Sequence, residues 1–188
     1  MKVLIVGAGM QGQVITWNLG RNPAVTEIVV ADYDEGRAAF VAGQVGNGKA
    51  RPQFIDAGDS DMVAKAGEGC KLVVNAVIPE FNKGIMRACL KCGAAYQDMA
   101  QGQTRTQTID EAYLDQMTLA PEFEKQGQLA LLSTGMDPGV TNTFAANAVS
   151  YTHLRAHETP EHLVCRLLLE KKKTITPALF YRPHSLSP

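Results

Sequence analysis

The sequence predicts an α/β protein built on a doubly wound, parallel sheet of six strands, the Rossmann arrangement. Three observations predict it. An apolar run at residues 3–6 leads directly into Gly-x-Gly-x-x-Gly at residues 7–12, and an amphipathic helical pattern follows. A second apolar run, at residues 28–31, ends in Asp32, about 20 residues beyond that motif. Apolar runs and helical patterns then alternate along the chain, as parallel strands joined by crossover helices require.

The first helix follows the glycine motif. The spacing of its apolar residues predicts a helix from about residue 11 to residue 21, with Met10, Val14 and Trp17 sharing one face. We interpret Trp17 as a core or packing residue. The helix ends at Asn22-Pro23, because proline does not continue the helical hydrogen bonds.

The remaining elements follow in the same alternation. Residues 72–77 are apolar on both faces, as expected of a central parallel strand. Gly93 marks the end of one helix, and Pro121 interrupts another. The expected strands are 28–31, 53–55, 72–77, 94–98 and 129–132. The expected helices are 35–45, 60–66, 82–92, 109–126 and one that begins near residue 141.

The composition is that of an ordinary globular protein, with 188 residues, 45% hydrophobic and 20% charged residues, and a net charge of −1. This balance does not indicate nucleic acid as a partner. No apolar run approaches the roughly 18 residues that span a bilayer, and residues 1–2 lead into a strand, so we expect no membrane association and a cytoplasmic location. Cys89 and Cys92 form a CxxC without a second pair, which predicts two half-buried helix residues and no metal site.

The glycine motif predicts a site for a dinucleotide pyrophosphate. Gly7 permits the tight turn out of the strand, Gly9 lets the backbone approach phosphate, and Gly12 lets the helix pack closely on the strand. Met10 and Gln11 begin the helix, whose free N–H groups and positive end face the anion. We therefore expect these five residues to bind the cofactor. The alternative is a glycine-rich turn in another kind of α/β protein.

Carboxylates end the next two predicted strands. Asp32 lies where a carboxylate takes the ribose hydroxyls of NAD and repels the 2′-phosphate of NADP. Tyr33 follows and is not basic, which favours NAD as the cofactor. Arg37 is near enough in sequence to keep NADP as an alternative. Asp56, at the end of the third strand, is a further candidate for cofactor binding.

The chain resembles the saccharopine dehydrogenase family, including its saccharopine reductase, lysine 6-dehydrogenase and carboxynorspermidine dehydrogenase relatives. The resemblance extends over about residues 1–148. The first matching piece is common to many dehydrogenases, whereas the other three, in this order and spacing, are much more particular. The four pieces are residues 6–12, 74–79, 93–98 and 135–142.

The resemblance implies roles for residues at the carboxyl ends of the later strands. Asn75, Ala76 and Val77 would pass the cofactor. Asp98 and Asp137 would border the nicotinamide and substrate cleft, which makes them the candidate catalytic residues. The alternative for both aspartates is turn and cap chemistry.

The resemblance also implies an activity. Family members reduce an imine, or oxidise an amine, on an amino acid or polyamine precursor by hydride exchange with nicotinamide, and the full-length protein is expected to be a homodimer. Residues 1–148 contain no histidine, so an acid or base among them must be a carboxylate, Lys or Tyr. The alternative function is an NAD(P)-binding regulatory module without turnover.

The sequence pattern of the chain changes after Ala148. Residues 149–173 correspond to the translation of a transposon-based sequencing-library adapter that runs into an A-tract. We therefore expect residues 1–148 to form the NAD(P)-binding domain and residues 149–188 to be a non-native tail. The family's second, substrate domain would then be missing and the chain inactive. The alternatives are a real amphipathic helix with a basic end, a metal site formed by the histidines of this stretch, and a basic tail at Lys171 to Lys173 that anchors the domain to RNA or membrane.

Overall fold

The computed structural model describes residues 1–100, 104–136 and 139–151. The chain divides into two compact units, Met1–Thr143 and Phe144–Pro188, and the described sheet lies in the first. The strands are β1 (Lys2–Val6), β2 (Glu27–Asp32), β3 (Ala50–Phe54), β4 (Leu72–Asn75), β5 (Ala95–Asp98) and β6 (Ala130–Leu131). The helices are α1 (Met10–Arg21), α2 (Glu35–Val45), α3 (Ser60–Gly67), α4 (Asn82–Cys92), α5 (Ile109–Met117), α6 (Ala120–Lys125) and α7 (Val140–Tyr151), and a short 3₁₀ turn, Pro79–Phe81, precedes α4.

The six strands form one sheet in the order β3-β2-β1-β4-β5-β6. Every neighbouring pair is parallel, with Val6 opposite Ala31 on one side and opposite Asn75 on the other. The prediction of a doubly wound, six-stranded parallel sheet is thus confirmed. The strand order reverses between β1 and β4, and ligands of such sheets bind at the carboxyl ends of the strands at that point.

Apolar side chains alternate between the two faces of the sheet, and each face has its own core. Along β1, Leu4 and Val6 point into one core, while Val3 and Ile5 point into the other. The first core includes residues of α3, α4 and α6, and the second includes residues of α2, with α1 residues packed against it. Helices therefore cover both faces, which explains why the central strands read as continuous apolar runs.

Helix α1 does not bury the face that its apolar spacing predicted. Met10 is 81% exposed and Trp17 is 45% exposed, with the Arg21 guanidinium 4.0 Å from the centre of the indole ring. The buried residues of α1 are instead Gly12, Thr16 and Gly20. The helix lies close to the turn after β1 at Gly12 and close to Gly46 at Gly20, so only small side chains fit there. The interpretation of Trp17 and its face as part of the core was wrong.

Two strand boundaries also differ from the prediction by more than one residue. Strand β3 begins at Ala50, because residues 50–54 pair with residues 28–32, which are five of the six residues of β2. Strand β4 ends at Asn75 rather than at Val77, since the Asn75 side-chain oxygen accepts the Val77 N–H at 3.1 Å and closes a turn. The helix expected over 109–126 divides into α5 and α6, and a proline occupies the first turn of α6.

The CxxC residues lie on α4 as predicted, and Cys92 is half-buried. Cys89 is instead fully buried, because its side chain packs into the first core. Among the described residues, no group of three or more His, Cys, Asp or Glu side chains could hold a metal ion. The helices of the described part of the chain include none that is long and apolar enough to cross a lipid bilayer.

Candidate cofactor-binding cleft

The turn after β1 needs glycine at its first and last motif positions. Gly7 has φ of +102°, a conformation that residues with a Cβ rarely adopt. A Cβ at Gly7 would lie 2.8 Å from Val77 Cγ1 and 2.9 Å from the Ala76 carbonyl oxygen, and a Cβ at Gly12 would collide with the Gly7 carbonyl. The glycine turn is therefore packed against the end of β4 and against the first turn of α1.

Gly9 differs from both of these glycines, because a Cβ built on it would have no protein atom within 4 Å apart from its neighbours in the chain. Gly9 precedes α1 in an extended conformation, and no side chain caps the helix there. The first intrahelical bond runs from the Gln13 N–H to the Gly9 carbonyl at 2.9 Å, and the preceding N–H groups are those that an α-helix leaves free. Open space, free N–H groups and the positive end of the helix fit a pyrophosphate.

The Asp32 carboxylate is fixed against the glycine turn. Its Oδ2 accepts the Ala8 N–H at 2.7 Å, and its Oδ1 accepts the Asp34 N–H at 2.9 Å. Only 7% of Asp32 is exposed. Asp32 thus lies at the carboxyl end of β2, as predicted. Its bond to the Ala8 N–H also connects β2 to the glycine turn, which the spacing in the sequence did not indicate.

The residues after Asp32 form an acidic start to α2. Asp34 caps this helix by accepting the Arg37 N–H at 3.0 Å, and its carboxylate also lies 3.5 Å from the Arg37 guanidinium. Tyr33 is 72% exposed. With Asp32, Asp34 and Glu35 in sequence, carboxylates outnumber the one guanidinium here, and that guanidinium already has a carboxylate partner.

A cleft of about 430 Å³ opens beyond the carboxyl ends of β4 and β5, close to the start of α1. It brings together Gln11, Asn75, Ala76, Val77 and Asp98, five residues singled out from the sequence. The lining residues are Gln11, Asn75, Ala76, Val77, Asn82, Asp98, Met99, Ala100, Thr134, Gly135, Met136 and Val140.

The other predicted residues are not among those that line this cleft: Gly7, Gly9 and Gly12 belong to the turn after β1, which Asp32 contacts, and three more lie elsewhere or outside the described residues. Met10 is exposed at the start of α1. Asp56 is exposed beyond β3, where its carboxylate accepts the Gly58 N–H at 2.8 Å in a local turn. Asp137 lies outside the described residues, as do the tail residues 152–188.

A buried polar network lies beneath the cleft, and its centre is Asp98, which is only 1% exposed. Its Oδ2 accepts the Tyr96 hydroxyl at 3.0 Å and the Gln116 amide at 3.0 Å, and its Oδ1 accepts the Ser133 N–H at 2.6 Å. Asn75 joins the network by donating from its amide to the Tyr96 hydroxyl at 3.1 Å.

Asn82 links this network to the loop after β5. Its side-chain oxygen accepts the Asn75 amide at 2.8 Å, and its own amide donates to the Ala100 carbonyl at 3.0 Å and to Gln116 at 3.4 Å. All these side chains are buried. Since buried polar groups are costly unless they are bonded, the network fixes the relative positions of β4, β5, α4 and α5.

Burial shifts the pKa of two groups at the centre of this network. It raises the pKa of the Asp98 carboxyl above its ordinary value, although the bonds from Ser133, Gln116 and Tyr96 oppose that rise. Burial also raises the pKa of the Tyr96 hydroxyl, and the charge of Asp98 raises it further, while the bond from Asn75 acts against them. The Tyr96 hydroxyl is therefore neutral and donates to Asp98.

Asn82 and Gln116 were not singled out from the sequence. The sequence did contain a signal, because each is a polar residue on an otherwise apolar helical stripe. Asn82 lies one turn from Met86, and Gln116 lies one turn from Ala112. That signal shows that a polar side chain is buried, but it does not identify the partner.

Together, the strand order, the glycine turn and the cleft at the strand ends define a dinucleotide-binding domain of the Rossmann type. The chain belongs to the saccharopine dehydrogenase family: the model of the saccharopine dehydrogenase NADP binding domain matches residues 3–131. The family resemblance expected from the sequence is thereby confirmed, and the cofactor of such a domain is a nicotinamide nucleotide.

Individual relatives agree with the family match. The chain is 32% identical over 152 residues to carboxyaminopropylagmatine dehydrogenase of Synechocystis sp., covering 80% of this chain and 38% of the relative. It is 29% identical over 165 residues to carboxynorspermidine synthase of Vibrio cholerae, covering 80% and 40%. Among solved structures, saccharopine dehydrogenase (L-Glu forming) of Saccharomyces cerevisiae matches with a TM-score of 0.65 at 19% identity, covering 81% of this chain and 31% of that one. The chain thus spans about two fifths of the length of the curated relatives that it matches.

Proposed function

We propose that this chain is the cofactor-binding domain of an oxidoreductase that transfers hydride between NAD(H) and a carbon–nitrogen bond of an amino acid or polyamine precursor. The arrangement around Gly9 carries the proposal. Protein atoms crowd the positions of Gly7 and Gly12, whereas the space beside Gly9 is open. Gln11, two residues further along, lines the cleft. A dinucleotide whose pyrophosphate lies at Gly9 therefore extends toward the ends of β4 and β5.

We propose NAD rather than NADP as the preferred cofactor, although the matched family model is named for NADP. The support is electrostatic. A 2′-phosphate near the end of β2 would meet the carboxylates of Asp32, Asp34 and Glu35, and Arg37 is paired with Asp34. Repulsion between these carboxylates and the 2′-phosphate disfavours NADP, whereas the ribose hydroxyls of NAD can donate hydrogen bonds to the same carboxylates.

The substrate class follows from the names of the curated relatives, which refer to carboxylated derivatives of agmatine and norspermidine. We propose a substrate that carries both an amine and a carboxylate. When bound, the nicotinamide supplies or accepts the hydride at the carbon of the C–N bond. The residues of this chain hold the cofactor: Ala76 and Val77 form one wall of the cleft, and Thr134 and Gly135 form another. The proton-transfer roles of Asp98 and Asp137 stay predictions.

The test is to titrate the 188-residue chain with NADH and with NADPH by isothermal calorimetry. We expect NADH to bind at least about tenfold more tightly, equivalent to about 1.4 kcal/mol, because a 2′-phosphate meets net negative charge at the start of α2. No binding of either nucleotide would overturn the proposed function. Tighter binding of NADPH would overturn only the choice of cofactor.

Asp34→Asn gives a sharper form of the same experiment. Asparagine caps helices as well as aspartate does, so α2 keeps its cap while one carboxylate is removed and Arg37 loses its charged partner. We expect the preference for NADH over NADPH to narrow in this variant. Glu124→Gln, which removes one exposed carboxylate from α6, is the matched control and should leave the preference unchanged.

A further inference from the structure

Asp98 holds the segment after β6 through both its side chain and its backbone. Its carboxylate accepts the Ser133 N–H, and its carbonyl accepts the Thr134 N–H at 3.0 Å and the Thr134 hydroxyl at 2.7 Å. Ser133 has φ of +56°, in the left-handed region that residues other than glycine rarely occupy. Such a conformation persists only where surrounding bonds enforce it, and Asp98 supplies one of them. The cleft wall formed by Thr134 and Gly135 begins at this point.

The same carboxylate is linked to the residues after β4 through two side chains. The Tyr96 hydroxyl donates to Asp98 and accepts from the Asn75 amide. The Asn75 side-chain oxygen in turn accepts the Val77 N–H. Val77 lines the cleft beside the glycine turn. One buried carboxylate is therefore connected to two parts of the cleft lining, one after β4 and one after β6, which flank β5 in the sheet.

The hydrogen bonds at position 98 require a carboxylate, because an uncharged side chain of the same shape would not accept all of them. The three groups that bond the Asp98 side chain are all donors: the Ser133 N–H, the Gln116 amide and the Tyr96 hydroxyl. An asparagine at this position would place its own N–H₂ against the Ser133 N–H or against the other two donors. A buried donor would then lose its acceptor, and the bond to one wall would be lost.

We infer that Asp98 is a positioning residue for the nicotinamide half of the bound cofactor. It sets the separation of the cleft walls formed by the end of β4 and by the residues after β6. The adenosine half depends on other groups, since Asp32 and the glycine turn lie at the β1–β2 side of the sheet. This inference rests on the proposed binding of a dinucleotide. It differs from the sequence-based expectation, in which Asp98 lies against the reacting groups.

The test compares NADH with ADP, which occupies only the adenosine and pyrophosphate positions. Calorimetric titrations of the 188-residue chain are made for wild type, Asp98→Asn and Tyr96→Phe, with thermal melts of each variant. Tyr96→Phe removes only the hydroxyl that joins Asn75 to Asp98 and is the milder change. Tyr113→Phe, which removes a hydroxyl from α5 outside the network, is the matched control.

We expect Asp98→Asn and Tyr96→Phe to weaken NADH binding by about tenfold, as the loss of one or two buried hydrogen bonds predicts, while ADP affinity changes by less than about twofold. Tyr113→Phe should change neither. An equal loss of NADH and ADP affinity would overturn the inference, because it would show a general structural role. Unchanged NADH binding in a folded variant would also overturn it. If Asp98→Asn does not fold, Tyr96→Phe alone decides between these outcomes. Failure of wild type to bind NADH would instead overturn the proposed function, and this inference with it.

Discussion

Two alanine substitutions in the glycine motif should separate binding from folding. In Gly12→Ala, the new Cβ would lie 2.9 Å from the Gly7 carbonyl carbon and closer still to its oxygen. Ordinary contact begins at 3.4 Å, and the clashing atoms belong to the backbone, so the turn after β1 must move. In Gly9→Ala, the new Cβ meets no protein atom within 4 Å apart from its neighbours in the chain, and the residue keeps φ of −72°, which alanine adopts easily.

The magnitudes follow from these distances. Overpacking against a rigid backbone costs about 3 kcal/mol at the upper end, and the better helix propensity of alanine returns about 1 kcal/mol, so Gly12→Ala should lose about 2 kcal/mol. For a chain of this length, that corresponds to a fall in Tm of about 4–8 °C. Gly9→Ala should stay within about 0.5 kcal/mol of wild type. Its NADH affinity should fall more than about tenfold, because the methyl group occupies the face that the pyrophosphate approaches.

Thermal melts followed by circular dichroism give the stabilities, and calorimetric titration with NADH gives the affinities. Each variant serves as the control for the other, since both replace a glycine of the same turn with alanine. A Gly9→Ala protein that binds NADH as tightly as wild type would refute the close approach of phosphate at Gly9. A Gly12→Ala protein with the wild-type Tm would refute the packing argument for α1.

Three further predictions concern stability. Because burial raises the pKa of Asp98, its contribution to stability is complete below the unfolded-state pKa of about 3.9 and is lost as the pH rises through the native pKa. The free energy of unfolding of wild type minus that of Asp98→Asn, from urea titrations at several pH values, should therefore fall with rising pH and then level off; a difference that rises with pH would contradict this reasoning. Thr108→Ala removes the capping box that Thr108 forms with Glu111 and should cost about 1 kcal/mol in the same measurement, whereas Thr108→Ser should cost much less. Gly93→Ala forces alanine into φ of +77° at the end of α4 and should cost about 1–2 kcal/mol, and an unchanged Tm would show that the turn relaxes without strain.

The parts of the fold that local chemistry determines could be predicted from the sequence. Gly93 ends α4 in the left-handed conformation that favours glycine, and the helix bounds at Asn82 and Cys92 agree with the prediction. The number of strands and their alternation with helices also followed, because each apolar run and each helical pattern was separate along the chain. The buried face of α1 could not be predicted in this way. Apolar spacing identifies a hydrophobic stripe, but a helix this close to a backbone turn buries its smallest residues, here Gly12 and Gly20, and leaves Trp17 at the surface.

The candidate site was predictable where it depends on backbone and not where it depends on long-range partners. Gly7, Gly9 and Gly12 occupy the places that their spacing indicates, because a turn is a local structure. Asp98 bonds instead to Gln116 and to Ser133, 18 and 35 residues further along the chain. No local pattern specifies such pairs, since they depend on how α5 and the end of β6 pack beside β5.

The position of Trp17 makes intrinsic fluorescence a measure of ligand binding. The chain contains one tryptophan, so its indole emission has a single source. Trp17 lies seven residues after Met10 on the same helix, which at 1.5 Å per residue is about 10 Å from the helix end that faces the proposed pyrophosphate site. Reduced nicotinamide absorbs light in the range where indole emits. Binding of NADH should therefore quench this emission and excite the nicotinamide, whereas ADP should do neither, and the unlabelled protein would distinguish occupancy of the whole site from occupancy of its adenosine half.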